Sequence, residues 1–222
     1  MASRLMHLAI ANEICKRVQI NDIDRFMLGV IMPDAYNRNT ANSGNSHLKY
    51  TTADGKKKTY KLSWFRKAFA NQINTDGLYL GYYLHLIQDI VFRYFVYSLY
   101  NWNPHPDGNI ERLHNDYMLL NEYIIGKYAI PDSLCVDKNI NREPIFDIYP
   151  FDIKQLQEDL KEDFESCGNE EAFFFTQKMA DEYIKLATEK CIEEIRALKS
   201  STSVVDEIEW AWDNNTTPHK RK

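Results

Sequence analysis

The stretch LYLGYYLHLIQDIVFRY, residues 78 to 94, constrains this chain more than any other. It is almost wholly apolar and aromatic, yet His85, Gln88, Asp89 and Arg93 interrupt it. A membrane span tolerates few such groups, so the stretch predicts a helix at the centre of a bundle, apolar on most sides, with no stable membrane insertion. His85 and Asp89 stand four residues apart, about one helical turn, and so leave the same face. A buried carboxylate without a partner costs several kcal/mol or shifts its pKa, so this face calls for a compensating charge.

The rest of the chain reads as helices around that centre. Ser3 can cap a first helix whose stripe is Ala11, Ile14 and Val18, with His7 on the same stripe. A second helix follows Asn21 or Asp22 and ends near Gly29, with Pro33 just beyond and Asp34 in the turn after it. Residues 37 to 54 are rich in Asn, Ser, Thr and Gly and predict a long loop containing His47. A helix around SWFRKAFANQ comes next, and Asp76 or Thr75 caps the central helix. Asn109 caps another, with Leu113, Tyr117, Leu120, Ile124 and Tyr128 as its buried ridge. Residues 131 to 150 read as an irregular connection, followed by helices from Asp152 to about Phe164 and from about Asn169 to Leu198.

No alternating strand pattern of useful length occurs, so the expected architecture is all-α: one domain over residues 1 to 200. Its metal-site half covers about 1 to 128 and its supporting helices about 152 to 199. Residues 201 to 222 form a C-terminal extension with a short helix around VVDEIEWAW that then frays.

Charge and cysteine usage narrow the partners. With 27 Lys+Arg against 32 Asp+Glu the formal charge is −5, which excludes a general positive field for nucleic acid and leaves nucleic acid only as a substrate. The opening MASRLMHLAIANEICKRV has no secretory pattern, so a cytoplasmic location is expected. Cys15, Cys135, Cys167 and Cys191 lack CxxC spacing and read as buried thiols.

Each polar residue on its own has a plain structural explanation. His7 reads as a hydrogen-bonded core residue, Asp34 as a turn former, His47 as solvated, and Asp89 as the partner of Arg93 one turn on. Together, His7, Asp34, His47, His85 and Asp89 place imidazoles and carboxylates around one helical core. Zinc accepts that donor set, and a divalent cation supplies the charge the buried carboxylates lack.

Four pieces in order carry a resemblance: Met6-His7-Leu8, then Leu28-Gly29 with Pro33-Asp34, then Ser46-His47-Leu48, then Gly81-Tyr82-Tyr83 through His85 to Asp89. Over residues 1 to 125 the chain resembles the zinc-dependent phospholipase C family, whose superfamily includes fungal single-strand nucleases. The resemblance implies a helical phosphoester hydrolase, acting on a phospholipid, nucleotide or small molecule. Asp34, His47, His85 and Asp89 would hold one zinc, Asp89 would bridge to another held by His7, and Asp34 would also accept a proton from the attacking water.

The family's later H-x-x-x-E meets His114 here, but Met118 stands where the glutamate belongs. His114 is therefore the expected late ligand, with Asp116 an outer or alternative ligand, and two zinc ions are favoured over three. Arg93 or Arg112 is a candidate to steady the phosphate. Two alternatives stand beside this reading: a helical interaction module with reduced chemistry, and an HD-type phosphohydrolase, which lacks its His-Asp dipeptide in this chain.

Overall fold

The computed structural model describes residues 2–36, 43–165 and 171–213. In chain order the elements are α1 (Arg4–Cys15), α2 (Ile23–Ile31), a 3-10 turn (Met32–Asp34), α3 (Ser43–Ser46), β1 (Lys49–Thr51) and β2 (Lys57–Tyr60). There follow α4 (Leu62–Ala68), α5 (Ala70–Thr75), α6 (Gly77–Arg93), a π-helical turn (Tyr94–Leu99) and α7 (Asn109–Tyr128). After two 3-10 turns come α8 (Ile153–Glu165), α9 (Gln177–Leu198) and β3 (Trp212–Asp213). The protein is mostly helical, and no helix of the described residues is long and apolar enough to cross a membrane.

Helix α6 is the axis of the core. Asp76 starts it by accepting the Leu78 N–H at 2.9 Å, and its residues from Gly77 to Arg93 are buried all round except Leu80. It crosses α2 at backbone contact because glycine stands on both sides. A Cβ on Gly29 would lie 2.2 Å from the Leu78 carbonyl oxygen, and one on Gly81 would lie 2.4 Å from the Phe26 carbonyl oxygen. Those glycines belong to the two sequence pieces that also carry Asp34 and His85, so the same segments set the crossing and deliver the polar side chains.

Several boundaries differ from the sequence expectation for local reasons. Asp34 closes a 3-10 turn containing Pro33 rather than following the proline in a loose turn. The helix expected around SWFRKAFANQ breaks at Phe69 into α4 and α5. Gly108, at φ 80°, occupies the N-cap position of α7, and Asn109 is its first helical residue. The last long helix starts at Gln177, capped by Thr176, because the backbone of Phe173, Phe174 and Phe175 is turned toward Asp116 instead.

The largest departure is a three-stranded antiparallel sheet in order β1-β2-β3. Strands of two to four residues are too short to show alternation in a sequence. The stretch around VVDEIEWAW forms turns and a strand rather than a helix. Within it Val205 is fully buried, and Glu207 accepts from Tyr50 Oη and the Ser63 N–H, so this part of the C-terminal extension is packed onto the domain. Residues 214–222, like Cys167, lie outside the described residues. Of the other cysteines Cys191 is buried, Cys15 half-buried and Cys135 exposed, so the expectation of uniformly buried thiols fails at Cys135.

Candidate metal centre

Helices α1 and α6, the 3-10 turn and the segment after α3 bring five expected residues together. His7, His47, His85 and Asp89 are at most 1% exposed, and Asp34 is 9% exposed. They form two groups that share His85: His7 with His85 and Asp89, and Asp34 with His47 and His85.

Each imidazole is oriented by a bond on its outer nitrogen. His85 Nδ1–H donates to the Val30 carbonyl at 2.7 Å, a contact made possible by the glycine crossing of α2 and α6. His7 Nδ1 lies 2.6 Å from Gln88 Oε1, and His47 Nδ1 lies 3.1 Å from Ser46 Oγ. Tyr82 Oη in turn donates to the Ser46 carbonyl. All three rings therefore aim Nε2 inward. Fixing a ring through the nitrogen that does not bind metal is the usual support for a histidine ligand.

The inner atoms have an unresolved demand for positive charge. His7 Nε2 is buried without a hydrogen-bond partner and faces Asp89 Oδ1 at 3.6 Å. His85 Nε2 and His47 Nε2 are 3.0 Å apart, so only a proton on one of them, or a cation between them, prevents two lone pairs from meeting. His47 Nε2 is also 3.4 Å from Asp34 Oδ1 and 3.8 Å from Asp89 Oδ2, which is 3.9 Å from His85 Nε2. Zinc–nitrogen bonds of about 2.0–2.1 Å give a tetrahedron edge of about 3.3–3.4 Å. These separations scatter around that edge, so the two groups could hold metal ions. Asp89 turns one oxygen toward each group.

Electrostatics agree with a cation site. Burial lowers the His85 pKa to about 3, aided by the charge of His7 and opposed by Asp34 and Asp89, so this ring is neutral and able to ligate. Burial alone would raise both carboxyls. The His47 hydrogen bond and the surrounding imidazoles outweigh it at Asp34, and the His7 contact and neighbouring positive charge outweigh it at Asp89, holding both below the ordinary range.

Several supporting residues escaped the sequence reading. Tyr60 Oη donates to Asp89 Oδ2 at 3.1 Å, and the Ala2 N–H donates to Asp89 Oδ1 at 3.3 Å. Gln88 and Ser46 adjoin expected ligands, so a search for polar neighbours of the motif would have found them; nothing local marks Tyr60. The plain partner for Asp89 is not used, because Arg93 donates to Tyr60 Oη at 3.3 Å and makes no ion pair with Asp89.

The late ligand expectation does not hold in this arrangement. His114 is exposed, against the ring of Tyr117 at 5.9 Å, and belongs to neither group. Asp116 is fully buried but accepts the N–H groups of Phe173, Phe174 and Phe175 at 2.7, 2.8 and 2.7 Å, so it anchors a loop instead of facing the centre. Arg112 lies over the Phe173 ring at 4.9 Å, and Arg93 is separated from the centre by Tyr60. A cation whose charge acts on Asp34 is Arg4, held at 2.7 Å by Asp163 and 3.3 Å by Asp159.

No family model, curated protein or solved structure matches this chain.

Proposed function

We propose that this protein is a metal-dependent phosphoester hydrolase with a two-ion zinc centre. The observation that carries the reading is the pair of donor groups joined at His85, in which every histidine presents Nε2 inward and Asp89 offers an oxygen to each group. His85, with one inward lone pair, would serve a single ion, either with His7 and Asp89 or with Asp34 and His47, and Asp89, with an oxygen toward each group, would be shared between the two ions. Zinc in such a site supplies Lewis acidity and lowers the pKa of water toward about 7.

The chain's own residues account for the rest. Asp34 is the least buried of the five, at 9% exposed against at most 1% for the others, so substrate would approach from its side. A carboxyl held so far below its ordinary pKa is a weak base, so Asp34 holds and orients the attacking water as a hydrogen-bond acceptor. Arg4, one turn before His7, would act on an anionic substrate through its charge, its guanidinium being held by Asp163 and Asp159. Tyr60 and Ala2 fix Asp89 from behind.

The test is metal analysis of purified protein with hydrolysis of an aryl phosphodiester before and after chelation. Two equivalents of zinc, and activity lost on chelation and restored by zinc, are expected. Protein purified with less than one equivalent, and equally inactive with added metal, would favour the interaction-module reading, which the exposure of His114 and Met118 makes the natural competitor.

A further inference from the structure

The sheet presents a second unmet electrostatic demand, on the far side of Tyr60 from the histidines. Residues directly opposite on an antiparallel ladder share a face, as do residues two apart on one strand. Lys49 lies opposite Tyr60 and Lys58 opposite Trp212, so Lys49, Lys58, Tyr60 and Trp212 occupy one face. The end of α6 adds Arg93, whose guanidinium carbon is 4.2 Å from the Trp212 ring centroid, while Lys49 Nζ is 5.8 Å from it.

Among the described residues most donors on these cations lack acceptors. Arg93 is 9% exposed; its Nε donates to Tyr60 Oη, and among the described residues its two Nη groups meet no acceptor. Lys49 and Lys58 make no hydrogen bond or ion pair through their ammonium groups among the described residues, and the indole N–H of Trp212 is buried without a partner. The carboxylate that acts on both Lys49 and Arg93 is Asp89, which stands behind Tyr60 and is occupied by Tyr60, Ala2 and His7.

Cation–π attraction is the plain explanation, and it is worth about 0.5–2 kcal/mol for a cation on a ring. It gives no acceptor to the N–H groups directed away from the ring, and it does not offset the repulsion between two cations sharing one indole. Hydrogen bonds from charged donors are each worth about 1.5–3 kcal/mol, so an anion offering several oxygens answers more of what this face lacks.

We propose that this face binds a phosphate-class oxyanion, held by Lys49, Arg93 and the Trp212 indole N–H with Lys58 at the rim, separately from the histidine cluster. The guanidinium fork and ammonium suit a tetrahedral oxyanion with more than one free oxygen. The occupant is either free phosphate or the phosphate end of an organic molecule. The inference does not depend on metal being bound by the histidines.

The test is calorimetric titration of the chelator-treated full chain with inorganic phosphate, in the wild type and in Lys49→Gln, Trp212→Phe and Lys154→Gln variants. Saturable binding is expected, weakened about tenfold by Lys49→Gln, equivalent to about 1.4 kcal/mol, weakened less by Trp212→Phe, and unchanged by Lys154→Gln on the exposed face of α8. Lys49 is only half-buried, so its variant keeps the fold and keeps the test decisive. Absence of saturable binding overturns the proposal, as does binding that ignores Lys49→Gln. Titration with methylphosphonate and phenylphosphonate separates the sources. Equal affinities support an anion-only site, and tighter binding of the phenyl compound supports an organic phosphate.

Discussion

Helices α6 and α7 both carry histidine and aspartate within one turn or so of each other, yet the two sets have opposite fates. On α6, His85 and Asp89 are fully buried and face His7, His47 and Asp34 from other elements. On α7, His114 is exposed, and Asp116 is consumed by three backbone N–H groups. Helical spacing decides which side chains share a face, but the neighbours decide what that face meets. The glycine crossing brings Val30 and the Asp34 turn onto α6, whereas α8 covers α7 farther along, where Asn121 Nδ2 donates to the Asp163 carbonyl at 2.9 Å.

The strongest way to break this contrast is His85→Ala. It removes both an inner nitrogen and the donor to Val30 and leaves a cavity, so loss of bound zinc and a destabilisation of about 3–5 kcal/mol are expected in urea unfolding. Full retention of zinc would show that α6 is not the centre. Asp116→Ala should cost about 2–3 kcal/mol by leaving the loop amides without an acceptor, while zinc content stays at the wild-type level. If zinc falls with it, α7 belongs to the centre after all.

Acid sensitivity sharpens the comparison further. In chelator-treated protein the folded His85 pKa is about 3 against an ordinary 6.5. Between those values the unfolded chain takes up a proton that the folded chain refuses. Stability is therefore complete above pH 6.5 and declines as pH falls, by about 1.4 kcal/mol per unit for that one proton. The depressed Asp34 and Asp89 act in the same direction at lower pH, since their contribution is present above the unfolded carboxylate range and lost below it. Urea midpoints from pH 7 to 4 that do not move would contradict this. The smallest effect belongs to His114→Ala, expected within about 0.5 kcal/mol of wild type with zinc stoichiometry unchanged, as for an exposed side chain.

The helical class and the gathering of five of the six expected metal residues were legible because they rest on periodicity, caps and short motifs. Ser3 and Asp76 act as caps as read, and the buried stripe of α1 includes His7 as expected. What stayed hidden depends on contacts distant in sequence. Asp116 looked available because nothing near it reveals the amides of residues 173–175. The sheet was invisible because β3 pairs with β2 across more than 150 residues of chain and neither strand is long enough to alternate. Spacing alone makes Arg93 the partner of Asp89, whereas the groups that stand beside it, Tyr60 and Trp212, come from distant parts of the chain.

Asp89 is reached from both early and late chain: the Ala2 amide bonds it directly, and Trp212 packs at 5.1 Å on the Tyr60 ring whose hydroxyl bonds it. A nascent chain cannot complete these surroundings until residue 212 has left the ribosome. Completion of the histidine cluster's surroundings is thus a late folding event that needs residues 2 and 212 in place together.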